Sequence, residues 1–287
     1  MRTAATGVGI ARVLKSVVVM VFLGAPLSEI GASEWAWTYG GILDDEADCI
    51  IETGDGDFVV AGTTIPFGED SPDLWVVKLD SAGNVIWERR YGGAGFESEA
   101  SILETSGGGY LLTGVTESFG AGGGDIWVLK LDAAGGVVWQ YCYGGEHPEN
   151  GVSVLEAPGG TGYVLAAKTE SFDAGVRGDL WVLRLLSDGL ISWQQRLGEF
   201  GGAEIPTCAV QSAGGTVIAG HTYSYGAGNG DFWVVSLDPS GAVSWEKAYG
   251  GTDIDWATAI QTTPDGGFVV AGTSTSFTAG SDWDVWV

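Results

Sequence analysis

Between Glu97 and Gly145 four short apolar runs are separated by turns rich in glycine, aspartate and serine. Ser101-Ile-Leu-Glu-Thr105 and Tyr110-Leu-Leu-Thr113 come first, followed by Asp125-Ile-Trp-Val-Leu-Lys-Leu131 and Val137-Val-Trp-Gln140. Runs of this length, bounded in this way, predict four antiparallel strands, here named a to d in chain order. Strand c is apolar on both alternating sets, with Trp127, Leu129 and Leu131 on one and Ile126 and Val128 on the other. A strand with two apolar faces needs protein above and below its sheet.

The same unit returns along the whole chain. Trp35, Trp87, Trp139, Trp193 and Trp245 are spaced by 52, 52, 54 and 52 residues, and Trp75, Trp127, Trp181, Trp233 and Trp286 by 52, 54, 52 and 53. A four-stranded unit repeated at this interval and covered on both faces predicts an all-β fold, a β-propeller of five radial blades. A two-sheet sandwich would not need the same two tryptophans five times. The repeat is out of phase with the chain: Glu34 to Gly41 reads as a strand d, and Asp284 to Val287 lies inside strand c. The N-terminal strand is therefore expected to complete the last blade and close the ring, which protects both edges. The alternative is that 34–287 belongs to a larger propeller.

The first 33 residues follow another pattern. Arg2, Arg12 and Lys15 precede the apolar run Val17 to Ala25, and small residues follow at Gly31-Ala32-Ser33. This order predicts a secretory signal cleaved near 32/33, an extracytoplasmic protein (secreted, periplasmic or on the cell surface), and no membrane insertion after cleavage. Three scattered cysteines, Cys49, Cys142 and Cys208, do not form a disulfide framework.

Composition sharpens the picture in two ways. The 49 glycines in 287 residues fit a turn-dense β fold rather than helices. With 12 basic and 37 acidic side chains the net charge is −25, so the surface offers nothing to neutralise phosphates and nucleic acid is excluded as a partner.

The pattern Trp-x5-Gly-Gly, then a carboxylate, then Asp265-Gly-Gly-Phe-Val-Val-Ala-Gly-Thr273, then Ser-Phe-x-Ala-Gly and Asp-x-Trp-Val resembles the secreted bacterial and archaeal β-propeller repeats. The resemblance covers the mature chain and implies a fold more than an activity. The fourth unit departs from it, with Leu197-Gly198-Glu199-Phe200 in place of Tyr-Gly-Gly, which predicts a d–a loop with its own conformation.

The longer b–c and d–a loops share one face of such a fold, and working residues concentrate on long loops. Two acidic positions recur there. The first, Asp45, Glu97, Glu149, Glu204 and Asp255, precedes strand a; as a ring at the channel mouth it is a candidate Ca²⁺ site, helped by Asp44, Glu46, Glu99, Glu146 and Asp253. The second, Asp73, Asp125, Asp179, Asp231 and Asp284, opens strand c and suits a structural role, accepting backbone N–H groups of the glycine-rich loop before it. Trp37, Trp256 and Trp283 fall outside both tryptophan series and are the candidate ligand-stacking residues. Apart from Ca²⁺ no cofactor is indicated: His147 and His221 occupy different repeat positions, and no His/Cys cluster has zinc spacing.

These features point to a non-catalytic binding module that takes a protein or glycan on its acidic loop face, as a monomer or as a module of a larger chain. The alternative is a glycoside hydrolase or lectin-like propeller, since paired carboxylates run glycoside hydrolysis. Near-equivalent carboxylates argue against an enzyme, because an active site needs an acid and a base in different environments.

Overall fold

Each apolar run forms the strand its pattern predicts, and each acid of the two recurring series is the first residue of its strand. The structure is a computed structural model that describes residues 17–20, 35–66, 68–172, 177–199, 201–277 and 282–287. After β1 (Val17–Met20) and β2 (Ala36–Tyr39), the first sheet holds β3 (Asp45–Glu52), β4 (Phe58–Thr64), β5 (Asp73–Leu79) and β6 (Val85–Tyr91). The second holds β7 (Glu97–Glu104), β8 (Tyr110–Thr116), β9 (Asp125–Leu131) and β10 (Val137–Tyr143). The third holds β11 (Glu149–Glu156), β12 (Tyr163–Thr169), β13 (Asp179–Leu185) and β14 (Ile191–Leu197). The fourth holds β15 (Glu204–Ser212), β16 (Gly215–Thr222), β17 (Asp231–Leu237) and β18 (Val243–Tyr249). The last has three strands, β19 (Asp255–Thr262), β20 (Phe268–Ser274) and β21 (Asp284–Trp286).

Every sheet is an antiparallel meander in chain order. Strands β3, β7, β11, β15 and β19 contact one another in succession, so strand a is innermost, as in a propeller. The middle strands are buried along almost their whole length, whereas the outer strands β6, β10 and β18 are largely exposed. The two tryptophan series divide the packing between them. Trp75, Trp127, Trp181 and Trp233 are core residues of strand c. The strand-d tryptophans instead reach the next sheet, donating their indole N–H to a carbonyl of its c–d turn: Trp35 to Ser81 at 3.0 Å, Trp87 to Ala133 at 3.1 Å, Trp139 to Ser187 at 3.2 Å and Trp193 to Pro239 at 3.1 Å. The turns that receive them are built by aspartate. Asp132 Oδ1 accepts the N–H groups of Ala134 and Gly136, and Gly135 takes the left-handed conformation (φ 79°) that a side chain would resist.

Closure by the N-terminal strand is not what the structure shows. β2 pairs with β1, and among the described residues no strand pair joins β2 to β21. The strand-d pattern of β2 specifies contacts with the following sheet and leaves its pairing partner open: Trp35, Trp37 and Tyr39 pack against Phe58, Val60 and Trp75 of the first sheet, and the Tyr39 hydroxyl donates to Gly83 O at 2.7 Å. An apolar groove of about 690 Å³, lined by Trp245, Tyr249, Phe268 and Trp286 among others, runs beside the three-stranded sheet. The segment read as an export signal, 1–33, lies outside the described residues apart from 17–20. Cys49, Cys142 and Cys208 are free thiols.

Candidate functional site

The two acidic series do not form two separate rings; the fold brings them together in pairs at the junctions between sheets. Four of the five strand-c aspartates meet the first acid of the following sheet across the glycine just after strand d. Asp73 meets Glu97 at Gly92, Asp125 meets Glu149 at Gly144, Asp179 meets Glu204 at Gly198, and Asp231 meets Asp255 at Gly250; a Cβ on any of these glycines would stand under 3.0 Å from both carboxyls. The glycine is thus required by close approach. The fourth unit keeps this arrangement despite its altered loop, with Gly198 in the glycine position, while Phe200 lies outside the described residues.

Hydrogen bonds fix each pair from both sides. Strand-b hydroxyls donate to the first-series acids: Thr116 to Glu97 at 2.7 Å, Thr169 to Glu149 at 2.7 Å and Thr222 to Glu204 at 2.9 Å. The same acids donate their own N–H across the junction, Glu149 to Gly124 O at 2.9 Å and Asp255 to Gly230 O at 2.7 Å. The strand-c aspartates hold the b–c loop before them, as Asp125 Oδ2 does by accepting the Ala121 N–H at 2.9 Å. Glu97, Glu149, Glu204, Asp179, Asp231 and Asp255 are all fully enclosed, so none of them lines an open channel mouth. Asp45 is half-buried and Asp284 is exposed. Burial pushes the carboxyls of Asp73, Glu204 and Asp231 above the usual range, and the neighbouring acids add to it.

The inner strands, by contrast, break the repeat. Each carries a bulge a few residues after its first acid, and a bulge re-aims the side chains around it. In β3 the bulged residue is Asp48, whose Oδ2 accepts the Ala100 N–H at 2.9 Å. In β7 the bulge includes Glu99, which accepts the Gly151 N–H and is the single non-glycine residue with positive φ (57°) among the described residues. Strained backbone of this kind concentrates at functional sites. Desolvation by the neighbouring inner strands raises the Asp48 carboxyl above the ordinary aspartate range although the residue as a whole is exposed, the Ala100 N–H lowers it, and the Glu46 and Glu99 charges raise it further. Glu46 and Glu99 stood among the loop acids of the sequence; Asp48 was missed, and its only signal is a carboxylate where the bulges of the fourth and fifth sheets carry Thr207 and Thr258.

The third feature is an aromatic cluster at the junction of the last two sheets. Trp256, second residue of β19, stacks on His221 of β16 (centroids 5.2 Å apart, 29° between planes) and meets Trp283 at 5.2 Å, while Tyr223 closes edge-on against His221. Trp283 is 47% exposed, so the cluster reaches solvent through this residue. Burial pushes His221 down to about 4, which keeps its imidazole neutral. Trp37 lies elsewhere, against the first sheet. A cleft of about 620 Å³ between the first two sheets is lined by Glu69, Asp70, Ser71, Gly93, Ala94 and Phe96.

No protein-family model matches this sequence, and neither does any curated protein. Solved structures do match. BBS1N in complex with ARL6DN is 14% identical (TM-score 0.49), covering 85% of this chain and 65% of that one. The endo-1,5-alpha-L-arabinanase of Thermotoga petrophila RKU-1 is 17% identical (TM-score 0.43), covering 72% and 59%. The glycoside hydrolase, family 43 YxiA protein of Bacillus licheniformis is 13% identical (TM-score 0.43), covering 72% and 59%. The likeness is one of fold, and the chain spans 59–65% of the length of these proteins. The non-catalytic reading of the sequence is corrected at this point. Glycoside hydrolases stand among the matched structures. The equivalence of the carboxylates, on which that reading rested, fails at the inner-strand bulges, where Asp48 and Glu99 have no acidic counterpart in the other sheets.

Proposed function

We propose that this protein is a glycoside hydrolase whose acid and base are Asp48 and Glu99. The observation that carries the proposal is the placement of these two carboxylates at the bulges of adjacent inner strands: Asp48 is held by the Ala100 N–H, and Glu99 sits on left-handed backbone with the Gly151 N–H fixing it. Glycoside cleavage needs two such groups, with a carboxylic acid to protonate the leaving oxygen and a carboxylate to activate water or attack the sugar. Asp48 is the acid in this assignment and Glu99 the base or nucleophile. The exposed Trp283, backed by Trp256, supplies the stacking surface a sugar ring uses. In this reading the five sheets are blades about one axis, the bulges of β3 and β7 face that axis, and the charge pattern of residues 1–33 directs export.

Arabinan, galactan and xylan form the test panel, with reducing ends as the readout. Asp48→Asn and Glu99→Gln are each expected to lower hydrolysis about 10²- to 10⁴-fold with Tm unchanged. Full activity in both variants would discard the assignment.

A further inference from the structure

The junction pairs differ in what neutralises them. Strand d places one residue beside each strand-c tryptophan: Arg90 opposite Trp75, Cys142 opposite Trp127, Arg196 opposite Trp181 and Ala248 opposite Trp233. In the third sheet this residue does electrostatic work, since the Arg196 guanidinium forms an ion pair with Asp179. The fourth sheet has alanine at that position. Asp231 and Asp255 therefore face each other across Gly250 with no cationic side chain from strand d, and both residues are 0% exposed. Each keeps its Oδ1 without a hydrogen-bond partner, although Asp231 Oδ2 accepts the Gly228 N–H at 3.2 Å and Asp255 Oδ2 accepts from Gly251 N at 2.8 Å and Ser276 Oγ at 2.7 Å. Two enclosed carboxylates with two unsatisfied oxygens are costly unless something positive meets them.

We propose that a calcium ion binds between Asp231 and Asp255, supplying the positive charge that Arg196 brings to the third sheet. The donors are all oxygen, which selects a hard cation. Among the described residues no three His, Cys, Asp or Glu side chains converge, so the proposal assigns the rest of the shell to main-chain carbonyls of the adjoining d–a loop. Gly251 O and Asp253 O both lie under 3.0 Å from the Cβ position of Gly228, the residue whose N–H holds Asp231. Calcium tolerates the irregular geometry of such a set, whereas magnesium demands an octahedron and retains waters for which an enclosed site has little room.

The test uses the full chain and calcium chloride itself. Calorimetric titration is expected to give saturable binding, and Tm is expected to rise by about 5 °C or more between excess chelator and saturating Ca²⁺. Asp255→Asn should lose the binding. Ala248→Arg, which restores the third-sheet arrangement, should abolish the calcium response while leaving Tm in chelator no lower than that of the unaltered chain. Absence of calorimetric binding together with an unchanged Tm overturns the proposal on the unaltered protein alone. So does stabilisation by acid without any calcium effect, which assigns the shared position to a proton. A calcium response that survives Ala248→Arg places the ion elsewhere and equally overturns it.

Discussion

The middle strands and the inner strands of the same sheets follow opposite rules. Strands β5, β9, β13 and β17 open with aspartate, carry tryptophan two residues later and end in leucine, and their side chains are almost wholly enclosed. The inner strands also share a first acid, but the next position is Glu46, Ser98, Asn150, Ile205 or Trp256, and the bulges carry Asp48, Glu99, Gly151, Thr207 and Thr258. A residue held by packing on two faces cannot change without cost, so it repeats. A residue beside a bulge on the innermost strand is free of that demand. Repetition in this chain therefore marks what builds the sheets, and departure from repetition marks where chemistry has room.

The largest effect that tests this contrast is on stability. Trp127 is 3% exposed, lies in one cluster with Val76, Leu112 and Leu129, and packs Phe119 at 5.1 Å. Trp127→Ala is expected to cost about 3–5 kcal/mol by denaturant unfolding, through the cavity it leaves. Trp256→Ala, on a half-buried inner position, should cost well under half of that and instead weaken polysaccharide binding. Equal losses of stability would erase the distinction between the two kinds of strand.

Much of this was legible in the chain because the sheets are local. Each strand pairs with its sequence neighbours, so a run of Tyr110-Leu-Leu-Thr113 between turn signals was enough to place β8, and the recurring acids marked the first residues of strands a and c. Pairing between the two acidic series was not legible, because it depends on the stagger of one sheet against the next, which brings Asp125 to Glu149 across Gly144. The placement of Asp48 was hidden for a related reason. A bulge shifts register by one residue, and alternation in the sequence then points a side chain to the wrong face. The place of β2 was misread because the pattern of strand d records the contacts of its tryptophan and tyrosine with the following sheet, not the strand it pairs with.

His221 sits at the seam between the fourth sheet and the last, on β16 and stacked on Trp256 of β19. Its folded value of about 4 lies below the ordinary histidine value of about 6.5. Between those two values the unfolded chain binds a proton that the folded chain excludes, so stability rises with pH across this window and levels off above it. The contribution is fully present at neutral pH, is lost as pH falls from about 6.5 toward 4, and amounts to about 3 kcal/mol. His221→Phe keeps a ring against Trp256 and removes the titration. Chemical denaturation at pH 7 and pH 4.5 should show a smaller pH difference for the variant than for the unaltered protein. Identical pH profiles would mean that the imidazole is hydrated and that the seam is open to water.

The smallest effect separates the buried strand-d tyrosines from their counterpart beside the apolar groove. Tyr39, Tyr91 and Tyr143 each donate a hydroxyl to the glycine carbonyl of the next c–d turn, Gly83, Gly135 and Gly189, at 2.7, 2.7 and 2.6 Å. Tyr143 is 7% exposed, so Tyr143→Phe leaves that carbonyl without its donor and should cost about 1 kcal/mol. Tyr249 holds the same position in β18 but is 47% exposed and lines the groove. Tyr249→Phe should therefore leave the denaturation midpoint unchanged. If the two variants lose the same stability, the Tyr249 hydroxyl is hydrogen-bonded in solution, and the last sheet is met by the strand before it in the same manner as the first three sheets are.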